Sequence, residues 1–426
     1  MAFIPTEVIE VRAWGRSVGA VAPSDARGAF AFQYFPEWID AGFSISPLHL
    51  PLERRPLTFP GQPLATWYGL PPAIADSLPD RFGNDIVTAE LTRRGASAGQ
   101  ITALDRLAYT GHRAMGALEF VEDIGPGASA STLLNIGELV VVARDVIAGR
   151  IGDDAESRAA LQQILTIGTS AGGARAKAVV NLNPVTGDLR PGQLPTPGYE
   201  AWLLKFDGIG DDLELGASLP YGRIEYAYSH MARSAGIELS PTRLLEENGR
   251  AHFMTRRFDR GDGGERIHMQ SLCAMAMLDF NAIGVHDYAQ LHDTIRSLEL
   301  GDAAASEAYR RMVFNVAAAN CDDHTKNHGF LMDATGSWSL SPAFDVTHAH
   351  NPESRWTAQH LMSVNGKFTG IERADLLEFA ERQDIRGARA IIEQVADAVA
   401  QWPEFAAEAG VPDEAVERVA ADLVRM

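Results

Sequence analysis

Between Asn320 and Phe330 the chain reads NCDDHTKNHGF, which gathers two aspartates, two histidines, a lysine and two asparagines into one short stretch. The preceding residues, YRRMVFNVAAAN, read as a helix that buries one face, so the polar cluster begins where that helix should end. Three chemistries fit such a cluster: metal ligation, phosphoryl transfer, or a polar loop that caps a helix. For a hydrolytic metal, Asp322, Asp323, His324 and His328 are hard and borderline ligands. Sites of that kind also draw ligands from other elements, and His348 and His350 in THAH are the nearby candidates.

Phosphoryl transfer accounts for more residues. Protein kinases place an Asp that accepts or orients the acceptor proton five positions before an Asn that ligates Mg²⁺, and a later Asp holds the metal. Asn327 stands five positions after Asp322, whereas Asp323 has His328 there, so the register selects Asp322. Downstream, WSLSPAFDVTH supplies Asp345 beyond a short hairpin with strands at 330–332 and 338–340 and a turn at Thr335-Gly336. Asp-x-x-x-x-Asn alone is a weak signal, and its weight depends on an ATP lysine and a phosphate loop upstream.

Both have candidates. Lys205 interrupts the apolar strand WLLKF, where a buried ammonium needs a partner such as phosphate. The alternative is an edge-strand lysine that snorkels to solvent. GTSAGGARAK, from Gly168 to Lys177, supplies small residues, backbone N–H groups and two cations; it lacks the Gly-Lys-Ser/Thr of a Walker loop. A flexible turn is the bland reading of that stretch. Glycine loop, strand lysine, helix, hairpin, helices, Asp/Asn loop and metal Asp follow the order of a protein-kinase core.

Elsewhere the pattern is ordinary. With 426 residues, 46% hydrophobic and 22% charged, the chain has room for two or three domains. MAFIPTEVIEVRAW has no secretory pattern, and no apolar run approaches the roughly 20 residues of a membrane helix. Two cysteines, Cys273 and Cys321, lack CxxC spacing and fit a reducing cytoplasm. VIEVRAWGRSVGAVAP and GAFAFQYFP alternate as strands; EDIGPGASASTLLN marks a boundary; a helix is expected near 156–166. TRLLEENGRAHFMTRRFDR predicts a hairpin turning at Asn248-Gly249, and PYGRIEYAYSHMARSAG a helix stopped by Gly236. After Phe258 the chain is expected to be mostly helical, beginning with IHMQSLCAMAMLDF.

With these motifs in place, the chain resembles the HipA family of serine/threonine kinase toxins, through TSAGGARAK, AWLLKF, RRFDR, NCDDHTKNHGF and LSPAFDV in that order. GLPPAIADSLPDRFG also resembles the N-terminal module of that family. The resemblance implies an α+β, two-lobed protein-kinase-like fold with a β-rich N-terminal half and a mainly α-helical C-terminal lobe. It implies an N-terminal module over 1–130, an ATP-clamping part over 150–257 and a helical lobe over 258–426. Residue by residue, it implies Asp322 as catalytic base, Asn327 and Asp345 as Mg²⁺ ligands and Lys205 as the phosphate-contacting lysine. Ser170, Ala171, Gly172 and Gly173 would lie over the ATP phosphates, with Ser170 autophosphorylated. Phe258 and Asp259 would meet adenine and ribose, and His324 and Lys326 would sit beside the phosphates. Arg256 stands where some relatives carry an acidic hinge residue. The partners implied are a HipB-like helix-turn-helix antitoxin, operator DNA only through it, and a protein substrate such as an aminoacyl-tRNA synthetase.

Two other readings stay open on the residues alone: a non-catalytic corepressor subunit acting through its antitoxin, and a metal-dependent phosphohydrolase. Charge bears on the partners directly. A formal charge of −19 repels phosphate backbones, so this chain alone should bind duplex DNA weakly at about 150 mM salt. A basic helix-turn-helix partner should recruit it. A gel-shift titration checks this, and tight binding by the chain alone contradicts it.

Overall fold

The computed structural model describes residues 3–25, 28–125, 133–147, 176–192, 196–207 and 220–426. The chain divides into two compact units, neither of them continuous in sequence. The first comprises Met1–Gly210, Thr255–Gln270 and Met332–Ser337; the second comprises Asp211–Met254, Ser271–Leu331 and Trp338–Met426. The first is rich in sheet and the second is mainly helical.

The first unit opens with an antiparallel sheet in which β1 (Ile9–Ala13), β2 (Arg16–Pro23), β3 (Phe30–Tyr34), β4 (Leu57–Thr58) and β5 (Leu118–Val121) follow the order β4-β3-β2-β1-β5. Alternation sets the faces: Ile9, Val11 and Ala13 are fully buried, while Glu10 and Arg12 point away from that core. The turn from β1 to β2 uses Trp14 at φ 50° and Gly15 at φ 71°, the paired left-handed residues of a tight hairpin. Trp14 tolerates that backbone because its ring stacks on Trp38 at 6.3 Å and its Nε1 donates to the Arg266 carbonyl at 2.7 Å. Further along, β6 (Lys177–Leu182) runs antiparallel between β7 (Leu189–Pro191) and β8 (Glu200–Lys205). Every residue of β6 is buried.

In the second unit the helix Gly301–Ala317 forms the centre, with Tyr309, Met312, Val313, Phe314 and Val316 among its buried residues. Aromatic side chains fill the space around it. Tyr228, Tyr288, Tyr309, Phe314, Phe379 and Trp402 are all buried, and their polar ends find acceptors. Tyr228 donates to the Ala318 carbonyl at 2.8 Å, Tyr309 to that of Leu376 at 2.9 Å and Trp402 to that of Val416 at 3.1 Å. The helix Tyr221–Ser234 belongs here because Tyr228 packs on Phe314 and Trp402, with ring centroids 6.3 and 5.3 Å away. That packing places the described residues 220–254 in the helical unit.

Local signals read well. The strands Thr242–Glu247 (β9) and Arg250–Arg256 (β10) flank Asn248 and Gly249 at φ 45° and 78°, and Gly236 at φ 82° follows the helix it was expected to stop. IHMQSLCAMAMLDF departs from expectation: His268–Ser271 is a strand and only Leu272–Met275 is helical. Ser271 explains the switch, because its Oγ accepts from the Ala274 amide at 3.3 Å and so starts the helix late. Met277 at φ 56° then ends it. The helix expected near 156–166 lies outside the described residues. Among the described residues, no helix is long and apolar enough to cross a membrane.

Buried histidines, two of them outside the loop 320–330, make the fold acid-sensitive. Burial lowers His268 in the first unit and His292 in the second to about 4, from an ordinary value of 6.5. The unfolded chain therefore binds protons that the folded chain refuses. Stability present above pH 6.5 falls as pH drops toward 4, by on the order of 3 kcal/mol for each histidine. Melting temperature measured from pH 7 to pH 4 should fall steeply, and His292→Leu should flatten the slope. A constant melting temperature over that range contradicts the assignment.

Candidate active site

The loop that carries Asp322 is held at both ends by backbone. The central helix stops as Ala319 turns left-handed at φ 50° and the Asn320 amide reaches back to the Asn315 carbonyl at 2.9 Å. Cys321 then donates to the Ala349 carbonyl and Ala349 to that of Ala319, both at 3.2 Å, which ties this loop to the segment just beyond Asp345. Thr325, fully buried, anchors the middle by donating to the Leu278 carbonyl at 3.0 Å. Asn327 closes the turn: its amide donates to the His324 carbonyl at 2.9 Å and its side-chain Nδ2 to the Asp322 carbonyl at 2.8 Å.

Neighbouring aspartates in this loop point to different environments. Asp323 is buried and receives three donors: Tyr288 Oη on Oδ2 at 2.7 Å, His360 Nδ1 on Oδ2 at 2.9 Å and the Leu361 amide on Oδ1 at 2.7 Å. Asp322 keeps 35% of its side chain exposed. Its Oδ1 accepts from the Trp356 indole Nε1 at 2.7 Å, with His324 Nε2 at 3.5 Å. Although part of the side chain reaches solvent, the protein packed around the Asp322 carboxyl raises it above the ordinary aspartate range; His324 and the Trp356 hydrogen bond lower it, and Asp345 and Asp323 add to the rise. A carboxylate raised in this way is a better proton acceptor.

Asn327 and Asp345 line the same small cavity, about 20 Å³ in volume, together with Arg311, Asn315, Asn320 and Asp323. That volume suits one water-sized particle. Asp345 is held at φ 53°, a left-handed conformation that few non-glycine residues adopt. Asp322, Asn327 and Asp345, expected from spacing alone, thus belong to one unit, with Asn327 hydrogen-bonded to Asp322 and Asp345 acting on its charge. His324 lies beside the Asp322 carboxylate, and Lys326 places Nζ 5.3 Å from the Phe280 ring centroid.

Several residues considered for a hydrolytic metal have other partners here. Asp323 is committed to its three donors, and the buried His328 ring bonds the Asp323 backbone. His348 and His350 both bind Asp422, at 2.8 and 3.0 Å. Among the described residues, no three His, Cys, Asp or Glu side chains group as metal ligands.

In the sheet-rich unit, register sets Lys205 directly opposite Lys177 across β6 and β8. Both are buried, and Lys177 Nζ lies 3.4 Å from Asp80 Oδ2. Ser170, Ala171, Gly172 and Gly173 lie outside the described residues. Asp259 lies in the same unit. It is fully buried, and its carboxylate receives Arg257 Nε and Nη2 at 2.9 and 2.7 Å, Arg260 Nη1 at 2.8 Å and the Gly116 amide at 2.7 Å. Those donors tie RRFDR to the segment at Gly116 that leads into β5. Arg256 pairs with Asp262 at 2.5 Å and Glu200 at 3.7 Å, on the wall of a cleft of about 340 Å³, while Phe258 is half-buried.

Comparison with known proteins decides the family. The HipA-like C-terminal domain matches residues 169–403, more than half of the chain. This chain belongs to the HipA family. The HipA N-terminal domain matches residues 9–121. A relative from Sinorhizobium fredii (strain NBRC 101917 / NGR234), named "Putative kinase Y4mE", is 24% identical over 345 residues, covering 78% of this chain and 75% of its own. A chain of the solved Shewanella oneidensis MR-1 toxin–antitoxin complex of HipA, HipB and operator DNA superposes with a TM-score of 0.63 at 15% identity, covering 97% of this chain and 94% of its own. HipA membership and the shared fold agree with the resemblance drawn from the motifs.

Sequence reasoning missed the residues that hold the loop: Tyr288, His360 and Trp356. No local spacing marks them, since each reaches the loop from 34 to 37 positions away. Their weight is measurable. Asp323→Ala leaves three buried donors unpaired and should destabilise the chain by about 3 to 5 kcal/mol. Urea denaturation checks it; a midpoint within error of the unsubstituted protein contradicts the role.

Proposed function

We propose that this HipA-family chain is an ATP-dependent serine/threonine protein kinase and the toxin of a toxin–antitoxin pair. The observation that carries the reading is the convergence in one unit of Asp322, Asn327 and Asp345 at the spacing phosphoryl transfer requires, with the Asp322 carboxyl raised. In this reading Asp322 takes the proton of the acceptor hydroxyl. The acceptor oxygen forms its bond to the γ-phosphorus, and the bond from that phosphorus to the bridging oxygen breaks, releasing ADP.

The donor set suits Mg²⁺. Asn327 uses its amide nitrogen on the Asp322 carbonyl, which leaves Oδ1 as its ligand atom, and Asp345 adds a carboxylate; both are hard oxygen donors. When bound, the ion supplies charge neutralisation on the transferring phosphoryl group. Lys205 and Lys177, side by side, would hold phosphate oxygens. The cleft beside Arg256 would admit the base near the hinge backbone. His324 and Lys326 flank the transfer point, and Ser170 would be the autophosphorylated serine.

As partners we propose a HipB-like helix-turn-helix antitoxin, operator DNA reached through it, and a protein substrate such as an aminoacyl-tRNA synthetase. The Shewanella neighbour was solved with HipB and operator DNA, and the charge of −19 supports DNA contact through a basic partner. That same neighbour favours a second reading, a corepressor that acts through its antitoxin without chemistry. Asp322→Ala and Asp345→Ala separate the two. Each should lower phosphate transfer from ATP-Mg by about 10²-fold or more with an unchanged melting temperature. Undiminished transfer by Asp322→Ala refutes its role as base; absence of transfer by the unsubstituted chain favours the corepressor.

A further inference from the structure

We propose that Trp356 is a positioning residue for phosphoryl transfer: its indole N–H fixes one oxygen of Asp322 and turns the other toward the acceptor hydroxyl. This rests on the reading of Asp322 as the base. Trp356 Nε1 donates to Oδ1 at 2.7 Å, and His324 Nε2, at 3.5 Å, approaches the same oxygen. Both neighbours therefore fall on Oδ1. A carboxylate gripped at one oxygen cannot rotate without breaking that bond, so the second oxygen keeps one direction. Held in this way, it meets the acceptor in a near-attack position rather than searching for one.

The indole is itself held. Its ring meets His324 edge-on at 5.7 Å and Phe280 at 6.4 Å, and Phe280 in turn meets His324 at 5.5 Å. The Trp356 amide donates to Ser354 Oγ at 3.1 Å, which fixes the backbone beneath the ring. Two of these rings, Trp356 and His324, approach the Asp322 carboxylate, and Phe280 packs on both. Trp356 is only half-buried, unlike Trp38 or Trp402, whose rings are 0% exposed. An indole N–H at such a position can bond water, so its engagement with a carboxylate is not required to satisfy a buried donor. Phe would supply the same packing; the N–H is the feature that Asp322 uses.

The test compares three variants of the full chain: Trp356→Phe, which keeps the ring and removes the donor; Trp356→Leu, which removes both; and Asp322→Ala. Steady-state transfer from ATP-Mg to a protein acceptor is measured together with melting temperature. Trp356→Phe should lower kcat about tenfold or more with KM for ATP and melting temperature unchanged, and Trp356→Leu should lower kcat to the same degree. A kcat equal to that of the unsubstituted chain in Trp356→Phe, while Trp356→Leu loses both stability and activity, makes Trp356 a packing residue and overturns the proposal. Should Asp322→Ala retain full transfer, the base reading itself fails, and the proposal with it. That outcome is distinct from failure of Trp356 alone, in which Asp322→Ala is inactive and Trp356→Phe is normal.

Discussion

A buried carboxylate has to be matched by donors, and the loop from Asn320 to Phe330 is organised around that requirement at Asp323. Tyr288 reaches it from the helix 288–297, and His360 and Leu361 reach it from the segment after Asp345. Asn315, on the central helix, donates to the Tyr288 hydroxyl at 2.9 Å, and Asn320 donates to Asn315 at the same distance. One carboxylate therefore joins the central helix, a second helix and the chain on both sides of the site. Because Asp323 is drawn inward by this network, the residue before it is directed out of the core. The accessibility of Asp322 follows from the burial of its neighbour.

This pairing explains why the loop reads as ambiguous in sequence and resolves in three dimensions. DD and two histidines offer four ligands on paper, and the five-residue spacing to Asn327 already separates the two aspartates. Burial separates them physically. Short-range chemistry was similarly legible: Asn248-Gly249 and the alternation of β1 each depend on neighbours in sequence. The strand His268–Ser271 was hidden because a short apolar run fits strand and buried helix alike. RRFDR also has a partner far away in sequence: the Asp259 carboxylate accepts from the Gly116 amide, 143 positions earlier, which no local pattern can announce.

The left-handed backbone at Asp345 belongs to the same logic. Such a conformation in a non-glycine residue persists where surrounding structure over-determines it, and here the restraints lie close by. Ala343 is fixed by its amide to the Glu238 carbonyl at 2.8 Å, and Ala349 is locked to Ala319 and Cys321 by two backbone bonds. Further along, His348 and His350 grip Asp422 at the end of the last helix. The backbone that carries the Asp345 carboxylate is thus held from both sides. That fixed charge also contributes to the raised Asp322 carboxyl, so the two acidic residues are electrostatically coupled before any ligand arrives.

The sheet-rich unit poses the opposite electrostatic problem. Two lysines stand directly opposite each other on β6 and β8, both buried, in a chain whose net charge is −19. Like charges in facing positions repel, and burial strengthens the repulsion by removing water. Asp80, the cap of the helix Arg81–Arg93, brings one compensating carboxylate to Lys177. Asp80 also accepts the Gly83 amide at 2.7 Å, so its position is set by the helix it caps and not by the lysine. The N-terminal module therefore supplies a fixed counter-charge at the root of the glycine-rich stretch.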